Sequence, residues 1–179
     1  MILEFGNRKS FLKKIKIVII PIFLSISIVG CCAYSFTGAS VPSHLKSIAI
    51  PVADDRSGSA EAGLREMLTQ KLIQKFVDDN SLQVVDRLNA NSILETAIVS
   101  FADAPAIISA GENITSRRIT IGIKASYRDL VKKIVIFDKV FTNYANYPAS
   151  GSINDRNKAI EEIIEKSTED ILLETVSGW

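Results

Sequence analysis

The chain has 179 residues, 47% of them hydrophobic and 23% charged, as expected of an ordinary folded domain. Its formal net charge is +1, yet five basic residues and one acid lie ahead of Cys31, which leaves 16 basic against 19 acidic residues from there onward. That slightly acidic remainder excludes the basic surface that nonspecific nucleic-acid binding needs.

Met1 to Lys16 is polar and basic, and Ile17 to Val29 is a 13-residue run without charge, interrupted by Pro21. As a helix it would span about 20 Å, short of the ~30 Å hydrocarbon core. Residues 1–30 therefore read as a secretory signal peptide that is removed. Ile28-Val29-Gly30-Cys31 resembles a bacterial lipobox, which implies that Cys31 becomes the first residue and carries diacylglycerol and an N-acyl chain. Several chains anchor a protein stably without a spanning helix. A retained membrane anchor and a plain secreted protein are the alternatives. A Cys31–Cys32 disulfide would be strained. The fate of Cys32 is left open.

Residues 31–46 read as a lipidated tether or extended lead-in, with His44 a surface histidine. Residues 47–179 read as a single domain. Ser47 to Val52 is a short strand ending in a turn at Asp54-Asp55-Arg56. Ala60 to Asp79 carries Leu64, Leu68, Leu72 and Phe76 every four residues, an amphipathic helix with Ser57 or Ser59 as N-cap and Glu61 near its positive end. Ser81 to Asp86 and Asn91 to Asp103 read as strands, the second broken at Pro105, and Ala104 to Asn113 as a loop with Gly111. Ser116 to Asp129 alternates cleanly, with Ile119, Ile121, Ile123, Ala125 and Tyr127 on one face and polar residues on the other. A turn over Leu130 to Lys133 leads into a pairing strand, Ile134 to Tyr147. There Phe137, Phe141, Tyr144 and Tyr147 break the period of two, which predicts a β-bulge or strand end between Phe141 and Tyr144. Ile153 to Val176 is a second helix, capped by Ser152 or Asn154 with Asp155 in its first turn, and Gly178 is its stop.

These elements define an α+β fold: a two-layer sandwich of a mostly antiparallel four- to five-stranded sheet with two long helices on one face. The other sheet face must be partly polar or covered by a partner.

There is no phosphate-binding loop, no GxGxxG, no HExxH and no CxxC. From Ala33 onward there is no cysteine, and a single histidine cannot build a multi-histidine metal site. Asp54-Asp55 reads as turn chemistry, and Glu161-Glu162 and Glu169-Asp170 as the solvated face of a helix. No catalytic constellation is present, and a non-enzymatic role with no metal or cofactor beyond the lipid is expected.

Several stretches together resemble the LptE-like lipopolysaccharide-assembly lipoproteins of the Bacteroidetes/Chlorobi type. They are Tyr34-Ser35-Phe36-Thr37-Gly38-Ala39-Ser40, the strand before the long helix, the aromatic strand Phe137 to Tyr147, Asp170-Ile171 in the closing helix, and the terminal Gly178-Trp179. The resemblance covers the chain from Cys31 onward. It implies an α/β two-layer sandwich, anchored at the periplasmic face of the outer membrane. Such a protein docks in, and helps assemble, the large LptD-like β-barrel that delivers lipopolysaccharide. It also implies lipopolysaccharide binding through basic residues on the sheet side. No local motif carries those positions over one by one; the nearest candidates are Arg117, Arg118, Lys124 and Arg128, on or beside the wet face of the alternating strand, where cations suit phosphorylated sugars. One alternative is a lipoprotein subunit of another export apparatus of the curli type, whose members also lead a strand like Ser47 to Val52 into a helix. Another is an orphan hydrolase using Asp54 or Asp55.

Overall fold

A computed structural model describes residues 41–59, 61–108 and 114–177. The signal peptide, Cys31, Cys32, the Tyr34–Ser40 stretch, Gly111 and the terminal Gly178-Trp179 lie outside the described residues. The elements are β1 (Ser47–Ala49), β2 (Asp54–Asp55), α1 (Leu64–Asp79), β3 (Gln83–Val84), a 3-10 turn (Arg87–Asn89), β4 (Ser92–Ile108), β5 (Ile114–Asp129), β6 (Ile134–Pro148) and α2 (Ile153–Ser177). The sheet runs β3-β1-β4-β5-β6, with β2 beside β4.

The fold is α+β, with two helices against a sheet. The long strands β4, β5 and β6 form an antiparallel meander, but β1 and β2 run parallel to β4, and β1 parallel to β3. The sheet is therefore mixed, because a strand–helix–strand crossover such as β1–α1–β3 returns the chain in the same direction. Among the described residues it has six strands, against the four or five expected. The extra one is Asp54–Asp55, which pairs with Ala97 and Ile98.

The alternation of β5 sets the layers. Ile119, Ile121, Ile123, Ala125 and Tyr127 are all fully buried in one core cluster with Leu64, Leu68, Leu72 and Phe76 of α1 and Ile160, Ile163, Ile164 and Ile171 of α2. The Tyr127 hydroxyl donates to Ser92 Oγ (3.1 Å), and burial pushes its pKa up to about 12. Thr69, buried inside α1, donates to the Arg65 carbonyl and accepts the Ala53 N–H at 2.9 Å, tying the segment after β1 to the helix.

Local details depart from expectation for identifiable reasons. α1 begins at Leu64, after a left-handed Gly63 (φ 79°), and not at Ala60. Ser57 instead donates to Asp55 through both its N–H and hydroxyl, so neither predicted cap reaches the helix. Asn80, also left-handed, closes α1 with its N–H on the Phe76 carbonyl. α2 starts as expected: the Ser152 hydroxyl accepts the Asp155 N–H, and the Asp155 carboxylate accepts from Ser152 in return.

β4 does not break at Pro105. It continues to Ile108 with register shifts after Pro105. Beyond Ile98 no strand among the described residues lines its other side, and proline is tolerated on such an edge. The bulge expected between Phe141 and Tyr144 is absent, since pairing there is continuous. The register shift falls instead at Tyr127/Arg128, where Ile136 is the extra residue. Phe137, Phe141 and Tyr147 lie opposite Tyr127, Ile123 and Arg117, whereas Tyr144 lies opposite Thr120 and faces the other way. The aromatic spacing changes parity because one ring belongs to the other face.

Candidate functional site

The sheet face away from the helices is the candidate site. On β5 it presents Arg118, Thr120, Gly122, Lys124, Ser126 and Arg128, flanked by Glu95 on β4 and by Asp138, Val140, Tyr144 and Asn146 on β6. Three of the four predicted basic residues share it. At ~3.3 Å per residue, Lys124 stands about 20 Å from Arg118 and Arg128 about 13 Å further on. They form a stripe and cannot converge on one small anion.

Their environments differ. Lys124 pairs with Asp138 at 3.1 Å, and Arg128 pairs with Glu95, which Arg87 also approaches at 3.9 Å. A cleft of about 390 Å³ opens beside these pairs, lined also by Pro51, Val52 and Arg56. Its cations are matched by carboxylates. Arg118 is different: its Nε donates to the Asn146 side-chain oxygen (2.9 Å), and its guanidinium lies 4.1 Å from the Tyr144 ring centroid. Among the described residues it has no carboxylate partner, so its charge is held in place and uncompensated.

Arg117 does not share this face. It points to the helix side, where Nε donates to Asp103 (2.9 Å) and to the Tyr147 hydroxyl (2.9 Å). Tyr147 donates to Asp103 at 2.8 Å, and Arg156 of α2 reaches Asp103 at 3.3 Å and Glu61 at 2.7 Å. Burial pushes the Asp103 carboxyl up, but the bonds from Tyr147, Arg117 and Arg156 outweigh it and hold it below the usual carboxylate range. The Arg156 hydrogen bond likewise holds Glu61 low. This half-buried cluster joins the segment before α1 to β4, β5, β6 and α2. Its bonded pairs are 14 to 95 residues apart in sequence, and no spacing pattern could have found it.

His44 is not a plain surface histidine. Its Nε2 lies 2.6 Å from the Asp129 carboxylate, which is 2% exposed and also accepts the N–H groups of Val131 and Lys132. Asp54 and Asp55 lie in strand β2 rather than in a turn, and their carboxylates accept from Arg56 and Ser57. Glu162 and Glu169 pair with Lys166 and Lys75 on the outer helical surface. Among the described residues no helix is long and apolar enough to cross a membrane.

A two-layer domain with a charge-studded sheet face turned away from its helices, carrying one stacked arginine, defines the class: an α+β sandwich with an exposed, charged sheet. The chain belongs to the lipopolysaccharide-assembly family LptE, whose family model matches residues 45–175. It is thus a cell-envelope protein of lipopolysaccharide assembly. No curated protein matches it.

Solved structures of other proteins are similar to this chain at low identity. A protein from Xanthomonas campestris is 14% identical with a TM-score of 0.56, over 77% of this chain and 89% of that one. A hypothetical protein from Chlamydia trachomatis is 10% identical with a TM-score of 0.57, over 75% of this chain and 99% of that one. The rare lipoprotein B of Shewanella oneidensis is 12% identical with a TM-score of 0.49, over 71% and 91%.

Proposed function

We propose that this protein is an outer-membrane lipoprotein, held at the periplasmic face by acyl chains on Cys31. It docks in an LptD-like β-barrel and helps assemble that lipopolysaccharide translocon. The observation that carries this reading is the family match over residues 45–175. The bare sheet face supplies the surface for the barrel, and the stripe Arg118, Lys124 and Arg128 supplies cations for lipopolysaccharide phosphates. Arg117 serves the fold instead. The lipidated protein, tagged and purified from detergent-extracted envelopes, is expected to bring down a near-stoichiometric large β-barrel, identified by mass spectrometry. A homo-oligomeric ring without a barrel would replace this reading with an export-apparatus subunit.

Within the stripe, Arg118 contributes most to anion binding, because an incoming phosphate displaces no carboxylate there. Arg118→Ala is expected to weaken lipopolysaccharide binding about tenfold, the equivalent of about 1.4 kcal/mol. Lys124→Ala, which also frees Asp138, should alter it less. Titration calorimetry on both variants checks the order, and equal losses would refute the assignment to Arg118.

A further inference from the structure

Three segments meet at the end of the sheet where the chain enters the domain. His44 bonds Asp129, the Leu130 N–H donates to the Asn91 carbonyl at 2.9 Å, and Ser47 Oγ donates to the Asn89 carbonyl at 3.3 Å. These bonds hold together the lead-in 41–46, the turn containing Arg87–Asn89, and the hairpin turn before β6. This end exposes apolar side chains: Leu88 (97%), Val131 (56%), Ile134 (52%) and Val135 (58%). Lys46, Arg87, Lys132 and Lys133 are exposed around them. Of the nearby acids, Asp86 is exposed, Glu95 is engaged by Arg128 and Arg87, and Asp129 is buried. The end as a whole also carries Asp78 and Asp79 where α1 closes, but the two turns that bear the apolar tips hold Arg87, Lys132 and Lys133 against one exposed acid, Asp86. Apolar tips ringed by cations match a surface that is anionic outside and apolar beneath.

Chain length points to the occupant. Val41 lies ten steps along the chain from Cys31, a reach of at most about 35 Å. β4 has 17 residues, so the far end of the hairpin stands about 55 Å away. An acyl anchor at Cys31 keeps the charged, apolar-tipped end within reach of a bilayer. We propose that this end is a membrane-docking surface for an anionic phospholipid bilayer, with Leu88, Val131, Ile134 and Val135 entering the interface and Lys46, Arg87, Lys132 and Lys133 meeting the headgroups. The proposal rests on the Cys31 reading for the nearness of the bilayer, but not for the chemistry of the surface.

The test uses the lipidated protein in phosphatidylethanolamine–phosphatidylglycerol vesicles containing brominated lipid. On a Trp179→Phe background, Leu88→Trp and Ile134→Trp are compared with Val140→Trp, an exposed position in the middle of β6. Quenching is expected to be about twofold stronger at positions 88 and 134 than at 140. The excess should shrink in high salt, in phosphatidylcholine vesicles, and with Lys132→Glu plus Lys133→Glu. Equal quenching at all three positions, or an excess indifferent to charge, overturns the proposal. Shielding of positions 88 and 134 by protein in extracted complexes, without bromolipid quenching, overturns it in favour of a protein partner. The mass of the mature protein reports acylation separately. If Cys31 is unmodified, the anchoring reading fails, while quenching on direct addition of the same vesicles still decides the docking surface.

Discussion

Phe76→Ala is expected to lower stability to urea unfolding by about 3–5 kcal/mol. Phe76 is fully buried in the last turn of α1, in the cluster that also holds Leu72, Leu82 and Ile48. Truncation removes its transfer free energy and leaves a cavity, because sheet and helix on either side are held by their own hydrogen bonds and collapse only in part. Domains of this size are stable by about 5–15 kcal/mol, so the loss is a large fraction of the total. Val77→Ala is the internal control. It sits one position on in the same helix but is 59% exposed, and should cost less than about 0.5 kcal/mol. Urea titrations followed by circular dichroism compare the two, and similar losses would contradict the facing of α1 described above.

Asp103→Ala should cost about 2–3 kcal/mol and change the acid limb of the stability curve. The carboxylate is 18% exposed and accepts from Arg117, Tyr147 and Arg156. Its removal leaves two guanidinium groups facing a missing charge and a tyrosine hydroxyl without its acceptor. Lys166→Ala, which breaks a pair exposed on both sides, should be nearly silent. Because the folded carboxyl of Asp103 titrates below its ordinary value of 3.8, its contribution is complete at neutral pH. As pH falls through the ordinary carboxylate range, the unfolded chain takes up the proton first, and stability declines until the folded group is protonated too. Glu61 acts in the same direction. The native protein should therefore lose stability from about pH 5 downward, and Asp103→Ala should lose it with a shallower slope. Parallel curves would mean that the cluster contributes nothing through its charge.

Much of the fold is legible along the chain because it rests on periodicity. The four-residue spacing from Leu64 to Phe76 and the alternation from Ile119 to Tyr127 are local consequences of helix and strand geometry, and both faces are buried as that geometry requires. The Ser152–Asp155 cap and the turn over Leu130 to Lys133 are equally local. The departures share a different origin. At Pro105 and Tyr144 the strand's own pattern is overruled by whether a neighbouring strand is present and which face is covered. Asp54–Asp55 becomes a strand only because β4 passes beside it.

The site divides in the same way. The row of cations on one face of β5 and the resemblance to a lipopolysaccharide-assembly family are both readable along the chain. It takes the folded arrangement to turn Arg117 inward to Asp103, to stack Arg118 on Tyr144 without a carboxylate among the described residues, and to pair Lys124 and Arg128. The physical reason is that a side chain's periodicity is set by its own backbone, whereas its free charge is set by whichever residues the fold brings within about 4 Å.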